Sequence, residues 1–373
     1  MKKGISSAGR AAQMRRAEVG SGWLTRSSSL GGAEERVYRA MREQIPVLDA
    51  AVGKLVRLCG GFTVSCADKG REAALREFLK TVPVGRGQVG IDCFLSAYLD
   101  SFLTSGRAVG EIVLSGGRIA AVCWGDAASV EIEEGETPLD FYICQRDGAG
   151  QLKRLPYQDL LLFSARNPEP GHPYGVSLFR SMPVLSDVLM QIYRTIGLNW
   201  ERAGNVRYAL VCRPTGEADR VGAQERAAQM AGEWSRAMAA SREGEVRDFV
   251  AVGDVDIRVI GADGPVLDSE VPVRQLLEQI VAATGLPPFL LGLSWSSTER
   301  MSAQQADLLT SEIWAIRRAV QPALERVIRT FLALDGSAAA FSVDWEDVSL
   351  QDILDEAHAA LYRAQAEKLK EDK

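Results

Sequence analysis

The sequence predicts an α+β fold, mainly helical, with small antiparallel sheets and a compact α/β insert carried between two long helical runs. Three observations lead there. Apolar residues recur at helical spacing in stretches closed by glycine or proline, the period switches to alternation between residues 108 and 154, and strand-helix-strand patterns fill 205–269 between two helices. With 373 residues and 46% apolar content, the chain can bury a core without disulfide or metal staples.

Charge excludes one broad class. Forty-nine acids against 43 bases give a net charge of -6, whereas a surface that grips nucleic acid throughout needs Lys and Arg to displace phosphate counterions. The balance is uneven: residues 1–44 hold nine Lys/Arg and four Glu, a local +5, which leaves -11 for the remainder. Residues 1–33, rich in Gly, Ser and Arg, read as a mobile basic arm. No apolar segment of the kind a secretory signal needs follows Lys2, Lys3 and Arg10.

Folding is expected to begin near Glu34. Pro46 opens a helix in which Leu48, Ala51, Val52, Leu55 and Leu58 recur on one face and Gly60-Gly61 stops it. A second helix is predicted over Arg71 to Lys80, and a third over Gln88 to Ser105 with Phe94, Leu95, Tyr98, Phe102 and Leu103 along one side. Strands follow at Ala108 to Leu114 and Ile119 to Trp124, then at Val130 to Glu133, Phe141 to Gln145 and Gln151 to Arg154, as one small antiparallel sheet. The apolar run Gln158 to Ser164 ends in a proline-rich loop, and Ser177 to Gly204 is a helix on the order of 40 Å long. The insert comprises strands at Tyr208 to Cys212, Arg247 to Val252 and Asp256 to Ile260 around a helix from Glu217 to Ser241. Glu270 to Thr284 is helical again. Glu299 to Leu334 is a long helix that Pro322 is expected to kink or break, and Ala340 to Trp345 is a strand. Ser349-Leu350-Gln351-Asp352 resembles a capping box opening a last helix.

Motifs for chemistry are sparse. The six cysteines form no C-x-x-C pair and several sit in apolar runs, as small buried hydrophobes of a reducing compartment do, so no metal site is expected. The two histidines, His172 and His358, lie in a proline-flanked loop and beside Asp355 and Glu356, with no triad context. Gly292-Leu293-Ser294-Trp295-Ser296 lacks the closing glycine of a nucleophile elbow, and no G-x-x-x-x-G-K-[ST] loop exists. Gly85, Gly87 and Gly90 formally satisfy G-x-G-x-x-G with Glu111 downstream, which keeps a nucleotide-dependent enzyme as the alternative reading. Pro83 and the hairpin pattern that follows argue against it. No cofactor and no catalytic residue is assigned. The uncharged stretch Gln279 to Thr298 is 20 residues long but is interrupted by Gly285, Pro287, Pro288 and Gly292, so no membrane span is expected.

Four stretches carry a resemblance: Pro46 to Val64, Phe94 to Trp124, Asp159 to Leu178 with Gly175-Val176-Ser177-Leu178, and Ile280 to Phe331 with Gly285-Leu286-Pro287-Pro288 and Leu291-Gly292. In their order they resemble the portal proteins of tailed bacteriophages and their prophage relatives, over about residues 34–345. The resemblance implies a portal-like fold and a homo-oligomeric ring of about a dozen subunits at one capsid vertex. That ring would be the conduit for packaging and ejection of double-stranded DNA without sequence specificity, with no membrane role and no enzymatic activity. It also implies terminase large subunit, head-completion or adaptor proteins and a major capsid or scaffold protein as partners, in a virion component assembled in the bacterial cytoplasm.

Carried onto this chain, the resemblance implies a wing at 34–176, a stem helix at 177–204 starting at Gly175 and Ser177, and a clip at 205–269. A second stem helix would follow at 270–284, with hinge positions Gly285, Pro287, Pro288 and Gly292. The channel loop would span 285–300 with Ser294, Trp295, Ser296, Ser297 and Thr298 at its centre, the wing helix and strand 301–346, and a short crown 347–373. The sequence departs from common forms of the family in its brief C-terminus and in Thr298-Glu299-Arg300-Met301, where an Asn is often found.

Overall fold

The computed structural model describes residues 30–137, 140–147, 149–170, 174–204, 207–212, 223–242, 255–260, 268–293 and 299–348. Described secondary structure begins with helix α1, Leu30–Gln44, four residues before the expected start. Helix α2, Pro46–Cys59, buries Leu48, Ala51, Val52, Leu55 and Cys59 and is closed by Gly60 at φ +62°. Strand β1, Phe62–Cys66, leads to α3, Lys69–Thr81, capped by the Asp68 carboxylate on the amides of Gly70 and Arg71.

The glycine-rich run is a hairpin, not the open loop or the start of a helix. β2, Pro83–Gly85, pairs antiparallel with β3, Gln88–Val89, and only after Gly90, at φ +92°, does helix α4, Ile91–Ser105, begin. A Cβ on Gly85 would lie 2.8 Å from the Trp124 ring. The strand before α4 is thus one arm of a short antiparallel hairpin, not the parallel strand that a dinucleotide-binding turn follows.

Two three-stranded antiparallel sheets replace the single sheet expected. The first has the order β5-β4-β9, from β4, Arg107–Ser115, β5, Arg118–Trp124, and β9, Leu161–Ala165. The second has β6, Val130–Glu134, β7, Phe141–Arg146, and β8, Leu152–Arg154, in sequence order. Val109, Ala127, Val130, Ile143, Leu155 and Leu161 form a buried cluster from both, with Phe163 against it. Glu111, the acid downstream of the glycine run, is buried inside β4 opposite Cys123 and Leu161.

Helix α5, Pro183–Gly204, starts at a proline, as a first-turn position favours, and not at Ser177. Strand β10, Arg207–Cys212, helix α6, Ala223–Arg242, and strand β11, Val255–Ile260, follow, with β10 and β11 antiparallel. Helix α7 is Glu270–Thr284, and helix α8, Glu299–Leu334, runs through Pro322 without a break. Val320, Ala323 and Leu324 are buried on both sides of the proline, so packing holds the helix across the missing hydrogen bond. β12, Phe341–Trp345, closes a two-stranded ladder with β1, from Phe62 opposite Trp345 to Cys66 opposite Phe341. The chain divides into two compact units, Met1–Ser186 with Leu276–Lys373, and Asp187–Gln275.

In the larger unit, α2 packs on α4 and α8, and Phe78 of α3 stacks on Phe331 of α8 at 4.5 Å. Arg317, 1% exposed, donates from Nε to the Cys59 carbonyl at 2.9 Å and lies between the rings of Trp314 and Trp345. Burial holds the Cys59 thiol up at about 12, so it is a packing group and not a nucleophile.

Candidate assembly surfaces

The residues singled out for function fall at three places: the foot of α5, the turn after α7, and the loop Ser294–Thr298. That loop lies outside the described residues, as do the crown from 349 onward, the strand expected over Arg247 to Val252, and both histidines.

At the foot of α5, two glycines far apart in sequence lie back to back. Gly106, at φ +78°, ends α4, and a Cβ there would fall 2.4 Å from the Ser177 amide nitrogen. Gly175 has φ +98°, and its Cβ would fall 2.0 Å from the Gly106 carbonyl oxygen. Neither position has room for a side chain. Around them the Arg166 amide donates to Gly106, the Val176 amide to Arg166 and the Leu178 amide to Leu103. Ser177 donates from Oγ to the Thr104 carbonyl at 2.6 Å and accepts the Phe179 amide at 2.9 Å. Phe179 and Met182 are fully buried, so the six residues expected as the first helical turns are instead a clamped turn, and the helix waits for Pro183.

The turn after α7 is built locally. Thr284 donates from Oγ1 to the Val281 carbonyl at 2.7 Å and accepts the Leu286 amide at 3.2 Å. Gly285, at φ +71°, reverses the chain, Leu286 and Pro287 are buried, and Pro288–Leu291 make one tight turn ending in Gly292 at φ +76°. A Cβ on Gly292 would meet nothing within 4 Å, so its backbone angle alone calls for glycine.

What the sequence reading missed is the character of α5. Val184, Val188 and Leu198 are exposed along one side, with Leu198 at 66%. Tyr193 and Trp200 are exposed as well, Trp200 at 67%. At 3.6 residues per turn, Trp200 lies about 160° around the helix from Leu198 and about 20° from Tyr193. Leu189, on the Tyr193 and Trp200 side, is buried, so from Tyr193 onward the helix carries exposed apolar residues on two roughly opposite sides. The spacing of these five residues in the sequence carries that signal, but an apolar residue is read as core by default until exposure is known.

No group of three or more His, Cys, Asp or Glu among the described residues is placed to hold a metal ion. No helix among them is long and apolar enough to cross a membrane.

No protein-family profile matches the chain. No curated protein matches it. Solved structures do. A chain from the neck of a native gene transfer agent (GTA) particle, computed with C12 symmetry, superposes with a TM-score of 0.61 at 17% identity, covering 88% of this chain and 87% of its own. A chain from the neck of an empty GTA particle, computed with C6 symmetry, gives 0.63 at 17% identity over 90% and 89%. An HK97-family phage portal protein from Corynebacterium diphtheriae superposes more loosely, at 0.45 and 13% identity over 82% and 95%. The α+β fold of this chain is that of the GTA neck chains, over nearly its full length.

Proposed function

We propose that the chain is the subunit of a portal ring, the conduit through which DNA enters and leaves a capsid at one vertex. The observation that carries this reading is the two-sided apolar surface of α5. A surface that uses one patch on both partners makes a closed dimer, whereas two different patches on opposite sides of one element make a head-to-tail contact that repeats until a ring closes. Val188 and Leu198 on one side and Tyr193 and Trp200 on the other are such a pair of patches. The shared fold with neck chains computed under C12 and C6 symmetry supports a ring, and the C12 neck supports a count of about twelve.

In this reading α5 and α7 are the stem, the strands β10 and β11 with α6 belong to the clip, and residues Ser294 to Thr298 are the channel loop. Gly285, Pro287, Pro288 and Gly292 set the angle at which that loop leaves α7. Terminase large subunit, head-completion proteins and the capsid or scaffold are the expected partners. The part is mechanical: an acidic body guides a polyanion without the many phosphate contacts that would stop it sliding.

The experiment is the assembly state of the purified chain. The parent is expected as rings with an axial hole by negative-stain microscopy, and Trp200→Ala with Leu198→Asp as monomers of unchanged melting temperature. Loss of one buried Trp anchor typically weakens an interface by about 2 kcal/mol or more, roughly thirtyfold per contact. A parent that stays monomeric across protein and salt concentrations would sink the reading.

A further inference from the structure

Helix α1 is held in a way unlike its neighbours. α2 and α4 each bury a continuous apolar face, whereas among the described side chains of α1 the buried large apolar residues are Tyr38 and Met41, with Ile45 just beyond its end. The remaining hold is ionic. Glu35, Arg39 and Arg42 fall at i, i+4 and i+7, on one face. Glu35, 4% exposed, accepts Arg107 Nη2 at 3.0 Å, Arg39 lies 3.5 Å from Asp126, and Arg42 reaches Asp49 at 2.7 Å and Asp100 at 2.8 Å. Arg42 also donates to Thr104 Oγ1 at 2.7 Å.

Such a seam gives register more than strength. The inner pair is only half satisfied: Glu35 Oε2 and Arg107 Nε are both buried with no hydrogen-bond partner. A buried ion pair adds little over an apolar contact but admits only one alignment. Of the outer acids, Asp49 is largely exposed and Asp100 half-buried, so salt screens the Arg42–Asp49 pair more than the Arg42–Asp100 pair. Gly31 and Gly32 further weaken the first turn.

What α1 covers makes the arrangement consequential. The Tyr38 ring lies 6.3 Å from that of Phe179, in the clamped turn at the foot of α5. Glu34, Val37 and Tyr38 of α1 face Ser105, Gly175, Val176, Ser177, Arg180 and Pro183 across a cavity of about 380 Å³. The Ser105 hydroxyl is buried with no partner, so the α1–foot contact is incompletely satisfied on both its ionic and its cavity side.

We propose that α1 is a releasable clasp: a charge-keyed helix that opens as a unit, ahead of the rest of the larger unit, and in opening uncovers the foot of α5. Docked, it fixes the turn Gly175 to Met182. Released, it takes Tyr38 from Phe179 and leaves that turn to its backbone bonds and the Ser177 hydroxyl.

Hydrogen exchange on the full-length chain tests this at about 0.1 M and 1 M NaCl, salts that bracket the screening of exposed pairs. Amides of residues 34–44 are expected to exchange roughly tenfold faster at the higher salt, those of 178–182 to accelerate with them, and the middles of α2 and α4 to stay unchanged. Arg39→Gln with Arg42→Gln should reproduce that pattern at low salt. Should that variant fail to fold, the salt series on the parent decides. The clasp is refuted if α1 exchanges in step with α2 at both salts, or if α1 opens while 178–182 keep their protection.

Discussion

The connections into and out of the inserted unit use the same local device for different ends. In each, a hydroxyl accepts the amide two residues on: Ser177 takes Phe179 and Thr284 takes Leu286. The donor side separates them. Ser177 gives its proton to Thr104, 73 residues away, whereas Thr284 gives its own to Val281, within its own helix. The glycines repeat the contrast, since Gly175 is forced by contact with Gly106, and Gly292 by backbone angle alone in open space. The first connection is welded to the body of the larger unit, and the second is a self-contained turn.

Substitution at the glycine of the weld is the harshest way to break that contrast. Gly175→Ala drives a methyl into the Gly106 carbonyl and the Arg166 amide, with no flexible side chain to give way. A loss of about 4 kcal/mol or more is expected, read as failure to fold or as a collapsed denaturation midpoint. A midpoint near the parent's would mean that the two loops separate easily and that the weld is not one.

The hydroxyls give a matched pair. Ser177→Ala removes a buried long-range bond and orphans both the Thr104 carbonyl and the Phe179 amide, for about 2 kcal/mol. Thr284→Val, nearly the same shape, leaves only the local Leu286 amide and Val281 carbonyl unmet, for about 1 kcal/mol. Equal losses in urea titrations would erase the distinction between the two connections. Gly292→Ala should cost about 1 kcal/mol, the price of a left-handed angle without a clash.

The smallest effect is expected away from both, and it calibrates the others. The Glu72 carboxylate accepts the Cys66 amide, then the Lys69 ammonium, and these hold its pKa below the ordinary carboxylate range. A lowered folded-state value means that its stabilisation is in place above the ordinary carboxylate pKa and is lost as pH falls through the lowered one. Glu72→Gln should therefore flatten the acid limb of a Tm-against-pH profile while leaving its neutral plateau nearly parallel. An unchanged acid limb would remove Glu72 from the account.

Sequence alone settled what depends on near neighbours. The apolar spacing of α2 and α4, the body of α3, the β4–β5 hairpin around Gly116-Gly117 and the Gly285-to-Gly292 turn all rest on contacts within a few residues, where steric and period rules act directly. Tertiary structure decided the pairings that close long loops. It split the expected sheet by bringing β9 beside β4, joined β1 to β12 across most of the chain, and set Gly106 against Gly175. It carried α8 through Pro322, because packing on both sides outweighed one lost hydrogen bond. It also showed that Leu198 and Trp200 stay exposed, which their spacing by itself does not establish. An apolar residue in a sequence has a preference for burial but no address, and the address comes only from what the folded chain leaves uncovered.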